Sequence, residues 1–233
     1  MGAQEDEVTG GDRQELARSF LRALPVAGTA VSTIGDLLGT ETVAASDATA
    51  ARLDEMQFDL GEGPCWDAVR LRRPVLHPDL RAVNAALWPA FSHAVLAEDV
   101  RALFAFPLLV GPLQVGAVDL YSRRPMTLNS DQTRRASELA DVTARQVLQR
   151  ALASMATEPG DDVAPDDNPY SRKIVHQATG MVLAQLRISA DDARLVIQAH
   201  AFANNRSMME VAQDILDRRI DLSDPDISSG SRS

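Results

Sequence analysis

The sequence predicts an α+β domain, a central antiparallel sheet flanked by helices, followed by a small all-α bundle of three helices. Three observations predict it. Residues 12–157 interleave helical periodicity with short segments rich in β-branched side chains. Residues 158–168, EPGDDVAPDDN, contain no large apolar side chain except Val163 and read as a solvated acidic linker. Residues 169–222 then return to helical spacing in three stretches. The acidic lead, 1–11, and the Ser/Gly-rich tail, 223–233, read as disordered.

The first helix runs from Asp12 to Leu24. Leu16, Ala17, Phe20, Leu21 and Leu24 recur at helical spacing, and Pro25 ends it. Gly28–Ile34 and Glu41–Ser46, separated by the turn-like 35–40, predict an antiparallel pair of strands. Gly61 and Gly63 suit tight turns, and Pro64 suits the first turn of a helix running to Leu71. Residues 74–76 predict a short strand, and a helix follows with Phe91, Val95 and Leu96 on one side. Ala102–Val110 and Gln114–Tyr121, joined at Gly111-Pro112, are the clearest strands, apolar enough to be central. Ser130 is placed to cap a long helix to about Ala156. Its stripe of Ala136, Leu139, Ala140, Thr143, Val147 and Ala151 fits packing on its own sheet, pairing with a second chain, or both.

Composition limits the function classes. Apolar residues are 45% of 233, ordinary for a folded, water-soluble chain. The longest apolar run, Ala102–Gly111, contains Pro107 and falls short of the ~20 residues a membrane span needs. The polar start MGAQEDEVTGGD is unlike a secretory signal, so a cytoplasmic location without membrane partners is expected. Cys65 is the single cysteine, which excludes an internal disulfide and a Cys-rich zinc site. The histidines at 77, 93, 176 and 200 form no pair at metal-ligand spacing, so no metal or cofactor is assigned. No Ser/His/Asp set, phosphate-binding loop or paired-carboxylate motif is present, and no catalytic residue is named. Net charge is −10, carried by residues 1–169, whereas 170–222 hold seven basic against six acidic residues. Phosphate contacts would therefore need local geometry, since the body repels nucleic acid at long range.

The last three helices, about 168–187, 190–204 and 207–220, have Ser189 and Ser207 as N-caps. So small a core needs small residues where helices cross, and Ala178, Gly180, Ala193, Ala201 and Ala212 supply them. A glycine inside a helix costs about 1 kcal/mol against alanine, so Gly180 points to close approach of another helix or of a ligand. Residues 174–216, IVHQATGMVLAQLRISADDARLVIQAHAFANNRSMMEVAQDIL, resemble the ANTAR domain of bacterial antitermination regulators. Ala178-x-Gly180-Met181, Ile188 to Ala193, Ala201, Asn205-Arg206 and Val211-Ala212 carry the likeness. The resemblance implies binding of tandem stem-loops in nascent transcripts.

For such RNA, cationic side chains suit phosphate and amides suit base edges. Arg172, Lys173, Arg187, Arg194 and Arg206 are the candidate cations, and Gln177, Asn204 and Asn205 the candidate amides, with Thr179 and Gly180 between them. Each is equally readable as solvated surface. The family's basic residue before the glycine is Thr179 here, an arginine of the second helix is Gln198, and the aromatic after Ala193 is Arg194.

The order helix, two strands, Gly-rich region, two strands, long helix resembles a GAF domain, and FDLGEGPCWDA, 58–68, resembles a segment of actinobacterial GAF–ANTAR proteins. That implies a sensor of a small molecule or of redox state, and a homodimer paired through the long helix is the expected assembly. Cys65 and Trp66 are the candidate ligand-binding residues, and Cys65 reads equally as a packed hydrophobe. A signal-responsive RNA-binding antiterminator is the leading reading. The alternatives are a protein-interaction regulator without RNA, kept open by Thr179 and Gln198, and a redox enzyme, which one cysteine fits poorly.

Overall fold

The computed structural model describes residues 3–35, 38–82, 86–156 and 172–222. The chain divides into two compact units, Met1–Ser171 and Arg172–Ser233. The expected linker, 158–168, and tail, 223–233, lie outside the described residues.

The first unit is a five-stranded antiparallel sheet in the order β2-β1-β5-β4-β3, with β1 Gly28–Thr33, β2 Glu41–Ala45, β3 Val75–His77, β4 Ala102–Val110 and β5 Leu113–Ser122. One face is covered by α1, Ala3–Ala23, and α5, Ser130–Ala156. Leu16, Ala17 and Phe20 pack there with Val31, Phe104, Phe106, Val118 and Leu120, and with Ala136, Ala140, Ala144 and Val147 of α5. The α5 stripe thus packs on its own sheet. α1 corrects one expectation: it begins at Ala3, where a disordered lead to residue 11 was expected. Ala3, Gln4, Glu5 and Glu7 are residue types of good helix propensity.

The opposite face carries α2 Ala48–Leu60, α3 Pro64–Leu71 and α4 Pro89–Ala94. α2 was not expected from the sequence. Asp47 caps it firmly, accepting from the Thr49 and Ala50 amides. Yet its buried side includes Thr49, Asp54 and Gln57, so the apolar periodicity that marks a helix is interrupted. Gly61 closes α2 in the left-handed region at φ 67°, and Pro64 opens α3 at its first position. α4 ends at Ala94, short of expectation; Phe91 and Val95 are buried but Leu96 faces outward. Asn129, not Ser130, caps α5: its amide donates to Gln132 Oε1 while its own Oδ1 accepts from the Gln132 amide, both at 2.9 Å.

The second unit is three helices, α6 Lys173–Leu186, α7 Ala190–Ala203 and α8 Met208–Leu216. Ala178, Val182, Ala193, Ile197, Ala201, Val211, Ala212 and Ile215 form its core. Ser189 caps α7, and Ser207 forms a reciprocal capping box with Glu210 on α8. α8 stops at Leu216, four residues before the expected end, because Asp217 closes it and Arg218 turns left-handed. Gly180 corrects a second expectation. It is exposed, and a Cβ there would meet nothing within 4 Å, so it serves no helix crossing within this unit.

Candidate functional site

The covered face of the sheet in the first unit holds a buried polar cluster. Ser32 of β1 and Thr42 of β2 are cross-strand partners, and both hydroxyls donate to Asp54 Oδ2 of α2. One helical turn on, Gln57 is fully buried and held from three sides. Its Oε1 accepts the Cys65 amide at 2.9 Å and its backbone carbonyl accepts Trp66 Nε1 at 2.8 Å. Its Nε2 donates to Asp119 Oδ2 of β5. Because Oε1 is committed to a backbone N–H, the amide has one orientation, with its donor aimed at Asp119. Gly63 makes room for this: a Cβ there would lie 2.6 Å from Gln57 Oε1, and φ of 133° already demands glycine.

Asp119 is the unusual member. It is 5% exposed, and its Oδ1 has no hydrogen-bond partner. Burial, with the neighbouring charge of Asp54 adding to it and the Gln57 hydrogen bond opposing, pushes its carboxyl up to about 8. On the sheet it lies directly opposite Ala30 of β1 and Ala105 of β4, with Ala117 two residues before it, so methyl groups flank it on three sides.

Cys65 and Trp66 frame this cluster rather than form its polar surface. The Cys65 side chain is 1% exposed among Ile34, Phe58, Val69 and Ala117, the environment of a packed hydrophobe. Trp66 stands edge-on to Phe58 at 5.9 Å. Asp54, Gln57 and Asp119 escaped the sequence reading. The signal was available only in hindsight: polar residues at i and i+3 of a helix, and one acid inside an otherwise apolar strand.

In the second unit the sequence candidates separate into three groups. Lys173, Gln177, Gly180 and Arg187 are exposed and follow one another at helical spacing along one side of α6 and its C-terminal cap. That side extends about 21 Å, with a cation at each end and a bare backbone between. Arg194 on α7, and Asn204 and Asn205 at its end, are exposed as well.

Several candidates have partners inside the unit, among them Asn204, which donates its side-chain amide back to the His200 carbonyl at 2.8 Å. Arg172 is 5% exposed, buried at the start of α6, which corrects its reading as a surface cation. Thr179 donates its hydroxyl back to the Val175 carbonyl at 2.8 Å within its own helix. Arg206 pairs with Asp214 at 2.7 Å and donates to the Glu210 carbonyl at 3.2 Å, tying the α7–α8 loop to α8. Arg219 meets the same Asp214, and the two guanidinium groups hold that carboxyl below the usual carboxylate range. Sequence reading also missed Phe202, 66% exposed beside the two asparagines, and Leu195, 51% exposed on α7.

Among the described residues no three His, Cys, Asp or Glu side chains are grouped to hold a metal ion. No helix of the described residues is long and apolar enough to cross a membrane.

Comparison with known proteins places both units. A family model for the GAF domain matches residues 11–147, and one for the ANTAR domain matches residues 169–216. No curated protein matches the chain. Solved structures similar to the first unit include the GAF domain of a two-component sensor histidine kinase from Bacillus halodurans. It is 11% identical with a TM-score of 0.47, over 62% of this chain and 97% of that one. The GAF domain of a phosphoenolpyruvate-protein phosphotransferase from Coxiella burnetii is 17% identical at a TM-score of 0.46, over 62% and 84%. A type II free methionine-R-sulfoxide reductase from Thermoplasma acidophilum is 16% identical at 0.47, over 61% and 94%.

Proposed function

Because the chain belongs to the GAF-domain family and carries an ANTAR domain behind its GAF domain, we propose that it is a signal-responsive, RNA-binding antitermination regulator. The GAF domain takes up a small molecule, and the ANTAR domain binds tandem stem-loops of a nascent transcript. The observation that carries the RNA half is the exposed side of α6. Lys173 and Arg187 lie at its ends for phosphate, Gln177 lies within it for a base edge, and Gly180 lets a nucleotide backbone approach the helix. The buried cluster around Asp119 supports the sensing half, since it is a polar centre under a covered sheet face. Val142 and Leu152, 44% and 53% exposed on one side of α5, support a homodimer. A cytoplasmic site of action follows from the RNA partner.

The test is a gel shift with transcripts carrying paired hairpins from the native leader regions, run at several salt concentrations. Binding that weakens steeply with salt is expected. Absence of binding to every such transcript by dimeric protein would refute the reading. One observation favours a second reading, a regulator that binds protein instead: Leu195 and Phe202 leave an apolar strip on α7. On that reading Thr179→Lys changes no RNA affinity. No enzymatic step is proposed, since Cys65 is enclosed by apolar side chains.

A further inference from the structure

Most polar atoms of buried side chains find a partner, and leaving one unmade costs stability. Asp119 breaks that rule at the centre of the sheet. Its Oδ2 is satisfied by Gln57, but Oδ1 faces no donor. Gln57 cannot turn to serve it, because the Cys65 amide and Trp66 indole fix that residue in place. The cross-strand neighbours cannot serve it either, being Ala30 and Ala105. The charge acting on Asp119 among the described residues is a second carboxylate, Asp54, and not a cation. For the ionised carboxylate the missing group is a donor, and the neighbouring negative charge of Asp54 selects a positively charged one.

We propose that Asp119 is the recognition point for a small cationic ligand whose ammonium or amidinium N–H donates to Oδ1, with Asp54 adding long-range attraction. This rests on the reading of the GAF domain as a small-molecule sensor and gives that ligand its chemical class. The three alanine methyls around Asp119 suit a slender head group: a bulky or branched cation would meet β1 and β4. The neutral side of the ligand would lie against the apolar residues next to the cluster, Ile34, Phe58 and Ala117. No bond between ligand and protein is made or broken in this step. When the carboxyl carries a proton, cation binding expels that proton into solvent, so charge balances.

The test uses the full-length chain at constant ionic strength. Methylammonium, n-butylammonium and putrescine are each titrated by calorimetry and by thermal melting, with butanol, butyrate and tetramethylammonium alongside. The expected result is binding and a raised melting temperature with at least one N–H cation, and none with the neutral, anionic or donor-free probes. Asp119→Asn keeps the shape and removes the charge, and is expected to weaken that binding at least tenfold. As an independent arm, native mass spectrometry of protein from its own host reports any molecule it retains.

Failure of all three N–H cations to bind overturns the proposal, as does equal affinity in Asp119→Asn. Equal response to tetramethylammonium also overturns it, because the N–H donor would then be irrelevant. A retained neutral or anionic molecule, with no response to the cations, overturns the cationic class and leaves the sensing reading standing. No retained molecule together with no response to any probe counts against both.

Discussion

Gln57 and Asp119 are joined by a buried hydrogen bond from the Gln57 amide to one oxygen of a carboxylate whose other oxygen is unmatched. The bond links α2 to the middle strand of the sheet, and the two residues stand 62 positions apart in the chain. Gln57 is oriented by the segment that starts α3, so the geometry at Asp119 reports on the 61–66 turn as well as on the sheet.

Asp119 makes the stability of the GAF domain depend on pH. In the unfolded chain an aspartate titrates near 3.9, whereas burial pushes Asp119 up to about 8 in the folded state. Between those values the folded state holds the extra proton, so its contribution to stability is full below about pH 4 and is lost as pH rises towards 8. Urea unfolding at pH 5, 7 and 9 should show falling stability of the GAF domain. In Asp119→Asn that fall should be reduced, with a melting temperature at pH 9 higher than the parent's by about 2 to 8 °C. An unchanged pH profile in the variant would contradict this account.

Cys65 is shielded from reagents by the fold. A thiol 1% exposed among apolar side chains is protected until the domain opens. Labelling by a thiol reagent should proceed at the rate of opening and be insensitive to reagent concentration when labelling is fast. Cys65→Ser should cost about 1–3 kcal/mol, because a more strongly hydrated hydroxyl replaces the thiol among apolar side chains. Rapid native labelling would show that the thiol is accessible.

Lys173 and Arg187, exposed on α6, and Arg206, paired with Asp214, should behave differently towards RNA. Lys173→Ala and Arg187→Ala are each expected to lower the salt slope of binding by about one contact's worth. Arg206→Ala should leave that slope unchanged and instead loosen the loop it ties to Asp214, at about 1 kcal/mol since the pair is partly solvated. Salt titrations of binding alongside urea unfolding distinguish the two effects.

Gly180 separates stability from binding. A methyl group there meets nothing, so Gly180→Ala should stabilise the ANTAR domain by about 1 kcal/mol. The same methyl lies on the α6 side that carries Lys173, Gln177 and Arg187, and RNA affinity should drop. A variant that is both more stable and equally tight in the gel shift would remove Gly180 from the interface.

Much of this architecture was legible from the chain. Strands such as 102–110 announce themselves by dense apolar content, and Ser189 and Ser207 fix helix starts through simple hydrogen-bond chemistry. α2 was hidden because its buried side uses Asp54 and Gln57 to meet Ser32, Thr42 and Asp119, partners supplied by β1, β2 and β5. Polar residues on a buried helix side cannot be told from surface residues until the sheet that receives them is known. The same holds for Arg172 and Arg206, whose burial and pairing depend on how the three helices close. Gly180 misled for the opposite reason: composition shows that a side chain is absent, not what occupies the space.

At the ends of the three ANTAR helices stand Arg187, Asn205 and Arg218, each with φ between 52° and 56°. That region suits glycine, and for the arginines it costs about 1 kcal/mol each. These turns are therefore held at a cost that glycine would not incur. RNA gripping those turns would freeze them, and part of the apparent affinity would then be spent on finishing the fold. Glycine at 187 and 218 would yield a sturdier domain from which the same transcript gains less order.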